Sequence, residues 1–335
     1  MSKGESWTKD LFIIGAISLG SYGLYQYLTS TNEPILEMEN EKKETKQKEI
    51  VKMEEKPEEI ELSFIEKWVL YSNLKELEKY SEILVLTEDS KDLISLTFKG
   101  EALESLNEPK ESEKLFKFII EQNPKSDDDL YSIGKAYEQL QNYEKAIEIF
   151  ESLRSKEHPF AHYSLGIYLQ RGVIFEKNQQ KAIEYFKTSA NLNNPASQYI
   201  LSLLLKKSEE SIEYLKKSAD FNYLPALITF GDLLSNRKDF ISAFHYYMKA
   251  AMEGNSKAQF EIANFYSNGD GVEKDFDEAF QWCKKSAENE YTPAEYLLGG
   301  FYHIGSGCEK NLSSAFEFYN RAAEKGNPSA QYSNI

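Results

Sequence analysis

Two cysteines in 335 residues, Cys283 and Cys308, are too few for a disulfide framework and lack the close spacing of a zinc site, so buried free thiols are expected. Cations are short too: 39 Lys+Arg stand against 55 Asp+Glu, and the net charge of -16, with no basic patch, argues against a nucleic-acid partner. Histidine is scarce, with four in all. His158 and His162 are four apart and could share a helix face, but no carboxylate or cysteine motif accompanies them, and solvated or capping roles are expected rather than a metal. His245 and His303 are the other two. No Ser-His-Asp pattern, P-loop or dinucleotide fingerprint occurs. Asp277, Glu278 and Glu317 read as wet helix faces rather than acid–base pairs. No catalytic, cofactor-binding or metal-binding residue is therefore expected. Proline and glycine are modest, at 9 and 17, and no stretch reads as a strand. What is plentiful is aromatic: 22 Tyr and 20 Phe within 41% apolar residues, enough for a sizeable core of the kind that stacked helices build.

The first sixty residues divide by composition. After a short tail, 1–10, the segment 11–30 has no charged side chain and runs through Leu11-Phe12-Ile13-Ile14-Gly15-Ala16-Ile17 to Tyr27 and Leu28. At about 1.5 Å per residue a helix of this length crosses a hydrocarbon layer of roughly 30 Å. Trp7 on one side and Tyr22, Tyr25 and Tyr27 on the other stand where aromatic rings meet the two interfaces. A single transmembrane anchor is expected. A cleaved signal peptide fits less well, because Glu5 and Asp10 cancel Lys3 and Lys9 and tyrosines fill the cleavage position. From 31 to 61 the chain is dominated by Glu and Lys, which buries too little to offset its ordering entropy, and a disordered tether is expected. Lysines on both sides of the anchor leave its orientation open.

From Leu62 onward apolar residues fall at three and four spacing in segments of about 12, separated by short polar turns. The segment 62–86 reads as one helix pair with Asn73 at its turn. Gly100, Leu103, Ser112 and Phe116 recur 34 residues later as Gly134, Tyr137, Ala146 and Phe150. Small residues let the first helix of a pair (helix A) lie against the second (helix B), and large ones fill the space between pairs. This period and pattern resemble the tetratricopeptide repeat, expected over 62–157.

A second frame follows over 158–335. Ala258, Ile262-Ala263, Tyr266, Gly269, Gly271-Val272, Asp275, Glu278-Ala279, Trp282 and Lys285-Ser286-Ala287 return 36 residues on as Ala294, Leu298-Gly299, Tyr302, Gly305, Gly307-Cys308, Asn311, Ser314-Ala315, Phe318 and Arg321-Ala322-Ala323. The frame also appears from Ala161, in shortened copies from Ala196 and Ala226, and in a sixth that begins at Ala330. Gly-x-Gly permits a turn with positive φ, and the Asp or Asn after it caps the next helix. Gly269-Asp270-Gly271 is thus a turn and not a phosphate loop. The pattern resembles the SEL-1-like repeat. Leu201 replaces the usual Gly of helix A, and the shortened copies are expected to pack like tetratricopeptide units.

The resemblance implies an all-α fold, a right-handed α-solenoid of antiparallel helix pairs, preceded by the anchor and tether. It also implies a protein-binding scaffold or adaptor rather than an enzyme. A short anchor, a Lys/Glu tether and tetratricopeptide units resemble the import receptors of the mitochondrial outer membrane, so a mitochondrial receptor or assembly factor is the first version. SEL-1-like arrays also resemble the adaptor of the endoplasmic-reticulum ubiquitin-ligase complex, the second. A hydrolase on this scaffold would need a nucleophile-and-base pair. Chaperone-docking tetratricopeptide domains hold C-terminal carboxylates with a basic clamp, whose positions here would be Thr97, Glu101, Ser132 and Lys135. Only Lys135 has the right charge, so partners are expected instead along exposed first-helix positions of the later repeats: Gln259, Glu261, Asn264, Glu295 and His303.

Overall fold

The computed structural model describes residues 62–173, 176–205 and 208–333; the expected anchor (11–30) and tether (31–61) lie outside the described residues. Among the described residues there are seventeen α-helices and no strand, and no helix is long and apolar enough to cross a membrane. The fold is a helical solenoid, built from α1 (Phe64–Glu76), α2 (Tyr80–Leu86), α3 (Leu93–Ser105), α4 (Pro109–Ile120), α5 (Asp127–Gln139), α6 (Tyr143–Arg154), α7 (Pro159–Arg171), α8 (Gln179–Asn191) and α9 (Pro195–Leu204). It continues through α10 (Glu209–Asp220), α11 (Leu224–Asn236), α12 (Phe240–Met252), α13 (Ser256–Asn268), α14 (Phe276–Glu288), α15 (Thr292–Ile304), α16 (Leu312–Glu324) and α17 (Pro328–Ser333). Odd-numbered helices are the A members of each pair.

Local chemistry sets the starts of these helices. The side chains of Asp92, Ser126, Asn142, Asn178, Asn194, Ser208, Asp239, Asn255, Asp275 and Asn311 each accept a backbone N–H of the turn they open, and Pro109, Pro159 and Pro195 open helices where no N–H is needed. In the long loops the chain leaves helix A through a left-handed glycine, φ 80° at Gly269, and turns again at Gly271. The backbone then returns to bond helix A nine residues back, Asn178 to Leu169, Asp275 to Tyr266 and Asn311 to Tyr302, all near 3.0 Å. The Asp or Asn that closes the loop also caps helix B, so one residue type serves both ends of the turn.

In five of the pairs a glycine of helix A faces an aromatic ring of helix B. A Cβ at Gly100 would meet Phe116, at Gly134 Phe150, at Gly166 Phe186, at Gly231 Tyr247 and at Gly299 Tyr319, each under 3.0 Å. The partner lies 16 residues on where the turn is short and 20 where the long loop intervenes, so the loop adds four residues without moving the contact. The copy from Ala226 uses the short spacing, as the tetratricopeptide pairs do. At the remaining 20-residue copy Ala263 and Cys283 occupy these positions, a larger A residue opposite a smaller B residue, and both are fully buried.

Two further sets of contacts act, the first within a pair and the second from one pair to the next. Ser189, Ser218 and Ser286 of helix B donate to the carbonyls of Pro159, Pro195 and Ser256 at the start of helix A, at 2.6–2.7 Å. Gln198 and Gln259, near the start of helix A, donate to Ala190 and Ala251 at the end of the preceding helix B. Each amide adds a second donor to a last-turn carbonyl that already accepts a backbone N–H, from Asn193 and Gly254 respectively.

The first helix departs from the expected pair. Asn73 lies inside α1 and not at a turn; the turn is at 77–79, where Glu78 takes φ 56°. The reason is tertiary: Asn73 is buried and spends its amide on residues about 150 and 180 positions away.

Candidate protein-binding face

The A helices present one face along which α1 itself lies. Phe64 packs against Phe160 at 5.0 Å and Tyr131 at 5.9 Å, and Trp68 packs against Phe160, Tyr163 and Tyr223 at 5.1–6.3 Å. Tyr71 stacks near Phe98 and shares a 3.0 Å hydrogen bond with Ser95. These partners belong to α3, α5 and α7, and Tyr223 precedes α11. Aromatics at positions 64, 68 and 71 put one stripe of α1 onto four A-helix elements.

Beside α1 runs a charge network. Lys75 pairs with Glu101 at 2.5 Å, Gln139 donates to the other oxygen of Glu101 at 3.0 Å, and Lys135 pairs with Glu138 at 2.7 Å. Burial works to raise the Glu101 carboxyl, but Lys75 and Lys135 outweigh it and hold the group below its ordinary value. Burial likewise opposes the charge of Lys135, and Glu138 and Glu101 overcome it. Of the four clamp positions, Thr97 and Ser132 are buried and donate to their own helix at Leu93 and Asp128, while Glu101 and Lys135 are engaged with other side chains. No set of free donors converges there on a carboxylate.

Farther along, α13 and α15 pack on the helices adjacent to them in the chain. Of the five residues expected on this stretch, two are not at the surface. Gln259 is 5% exposed, with its amide on Ala251 and its oxygen receiving Asn289 at 3.1 Å. Glu295 is 0% exposed. It takes the place that glutamine fills in Gln198 and Gln259, but a carboxylate cannot donate to a carbonyl, so it turns to cations and accepts from Arg321 at 2.7 Å and Lys325 at 3.0 Å. The expected exposure of both is corrected on that ground: Gln259 joins its repeat to the one before, and Glu295 ties together the two helices of its own pair. Glu261 and Asn264 are half-buried and His303 is exposed. Among the described residues Glu261 is hydrogen-bonded by Asn264 alone, at 3.5 Å, and burial pushes its carboxyl above the ordinary value, with Asn264 and Lys257 opposing and Asp232 reinforcing the rise. Next to it Lys257 grips both oxygens of Asp232, which also accepts from Tyr247.

The histidine pair and the two cysteines are built into the helix packing, and the buried Nδ1 of His162 has no hydrogen-bond partner among the described residues. His158 caps α7, its Nδ1 accepting the Ala161 N–H, and its Nε2 lies 3.0 Å from Asp128. His162, half of the four-apart pair, is buried near Tyr185, and burial lowers its pKa. Cys283 is buried and Cys308 half-buried, and burial raises both thiols. Among the described residues no group of three or more His, Cys, Asp or Glu converges on a metal position.

The Sel1 repeat family model matches residues 159–194, 235–255, 256–291 and 292–327, and the Tetratricopeptide repeat model matches 130–153. Among solved structures the chain is similar to a Sel1 repeat protein from Oxalobacter formigenes, with 25% identity, a TM-score of 0.53, and coverage of 61% of this chain and 86% of that one. It is similar in fold to a protective antigen of uropathogenic Escherichia coli strains displaying an SLR fold, with 23% identity, a TM-score of 0.53, and coverage of 77% of this chain and 58% of that one. No curated protein matches the chain. The 195–234 stretch between the matched segments holds Leu201 and the first shortened turn.

Proposed function

From a chain that carries Sel1 repeats beside a tetratricopeptide repeat, we propose a protein-binding scaffold that holds partner proteins on the A-helix face from α11 to α15. The observation that supports this placement is the division of the face: α1 covers its earlier part, whereas Glu261, Asn264 and His303 stand on the later part at or near the surface. Glu261 has one weak partner, so a donor from a bound protein would find an acceptor already partly stripped of water. The reading is of a binder rather than a catalyst, and it rests on the repeats.

The apolar run 11–30 and the charged 31–61 stretch support a second part of the proposal, that the scaffold is tethered to a membrane, with the mitochondrial outer membrane placed ahead of the endoplasmic reticulum. Affinity capture after cross-linking tests the face. Partners recovered with the wild-type chain and with Glu288→Ala should be lost from Glu261→Lys and from Asn264→Ala/His303→Ala; equal recovery by all four would refute it. Alkaline extraction and localisation of the full chain, beside one lacking 1–31, test the tether. Release of the full chain by alkali would end that part alone.

A further inference from the structure

In a solenoid each repeat touches its neighbours, so a contact between residues 150 or more apart constrains the array in a way that stacking does not. Asn73 makes such a contact with all of its amide. Its Nδ2 donates to the Asn222 carbonyl at 2.8 Å and to Glu253 Oε2 at 2.9 Å, and its Oδ1 accepts the Leu224 N–H at 2.9 Å. Leu224 is the first residue of α11, and Tyr223 before it offers no side-chain cap. Asn73 is therefore the cap of a helix it does not belong to. Three residues past α1, Lys79 Nζ donates to the Glu253 carbonyl at 3.0 Å. One residue at the end of α12 thus receives both α1 and the turn that follows it.

We propose that Asn73, Lys79 and Glu253 form a proton-dependent latch, which holds α1 on the A-helix face while the Glu253 carboxyl is neutral and loosens when it ionises. The groups facing that carboxyl are Asn73 from α1, Lys79 from the turn after it, and Lys249 one turn earlier on α12. Burial dominates and pushes Glu253 up to about 7; the hydrogen bond from Asn73 and the two lysines act the other way. The sign follows from linkage. With α1 lifted, water reaches the carboxyl and its pKa returns toward the ordinary value of 4.5. The docked form therefore binds the proton more tightly, and its advantage is complete below that value and is lost as pH rises through about 7. Neutral Glu253 still accepts from Asn73 through its carbonyl oxygen, so protonation leaves the hydrogen bond in place and removes only the buried charge.

Opening uncovers the rings of Phe160, Tyr163 and Tyr223 against which Trp68 packs. The Leu224 amide is a direct reporter, because its acceptor is Asn73. Hydrogen exchange of the full chain, corrected for the intrinsic pH dependence of exchange, should show Leu224 losing protection by about tenfold or more between pH 5.5 and 8. The Ala258 amide, bonded to Asn255, should stay level. Glu253→Gln, neutral at every pH and still an acceptor, should flatten the Leu224 profile. Lys79→Gln, which removes a cation that favours ionisation, should move the midpoint to higher pH. A level Leu224 profile in the wild type, an unchanged slope in Glu253→Gln, or a midpoint lowered by Lys79→Gln would each overturn the latch.

Discussion

A buried side chain in this array is judged by what its neighbours leave unsatisfied. Gln198 and Gln259 each carry a donor to the end of the previous helix; Glu295, in the same place, has none and instead collects Arg321 and Lys325. Arg321 and Lys325 are both about a third exposed, at 39% and 35%, whereas Glu295 is sealed, so the site is built around one buried anion. Glu295→Lys places a third cation there and should destabilise the fold by about 3 kcal/mol or more in urea denaturation, the scale of a broken buried pair. Glu295→Gln restores the donor its counterparts use and should cost about 1 kcal/mol or less. Equal costs for the two would show that a third cation is tolerated there and that the site is not sealed.

Between the two helices of a pair, the decisive feature is the glycine opposite the ring. Adding a methyl group at Gly166 drives it into Phe186, and overpacking of this kind costs about 1–3 kcal/mol. The copy with Ala263 and Cys283 shows the other solution, a larger residue on A and a smaller one on B. Gly166→Ala and Phe186→Cys should therefore each destabilise, while the double variant is less destabilised than their sum, by about 1 kcal/mol in a double-mutant cycle. Strict additivity would show that the two positions do not meet. Four B helices also carry a cation over an aromatic ring: Lys217 over Tyr214, Lys249 over Tyr246, Lys285 over Trp282 and Arg321 over Phe318 sit three residues past the ring, one helical turn on.

Over the whole repeat array, α1 changes how the repeats depend on one another. An open stack of repeats melts by neighbours; here Trp68, Tyr71 and Asn73 bind α3, α7 and the start of α11 to a single helix. Trp68→Ala should cost about 3–5 kcal/mol by leaving a cavity among Phe160, Tyr163 and Tyr223. Its effect should also reach residues far along the chain, with hydrogen exchange at 222–224 speeding up together with that of α7. A loss of protection confined to α1 and α3 would show that the long-range contact does not couple the repeats.

Much of this was written in the chain itself. The helical periods, the capping Asn and Asp residues, the Gly-x-Gly turns and the small-against-large pairing are local or near-local rules, each satisfied within one repeat of about 34 to 36 residues, and the structure follows them from α3 to α16. The repeat frame placed Ala263 and Trp282 in the core correctly. It placed Gln259 and Glu295 on the surface wrongly, because polarity within one helix does not reveal that the end of the previous helix B lies against Gln259 or that Arg321 and Lys325 of the next helix B close over Glu295. Asn73 was misread for the same kind of reason. A polar residue between apolar neighbours looks like a turn until its partners are found, and those partners are Asn222, Leu224 and Glu253. Sequence determined the repeats because their contacts are short in range and periodic. Only the tertiary structure decided where the first helix lies and which part of the A-helix face it leaves uncovered, since that depends on the accumulated displacement of many stacked pairs, which no single repeat encodes.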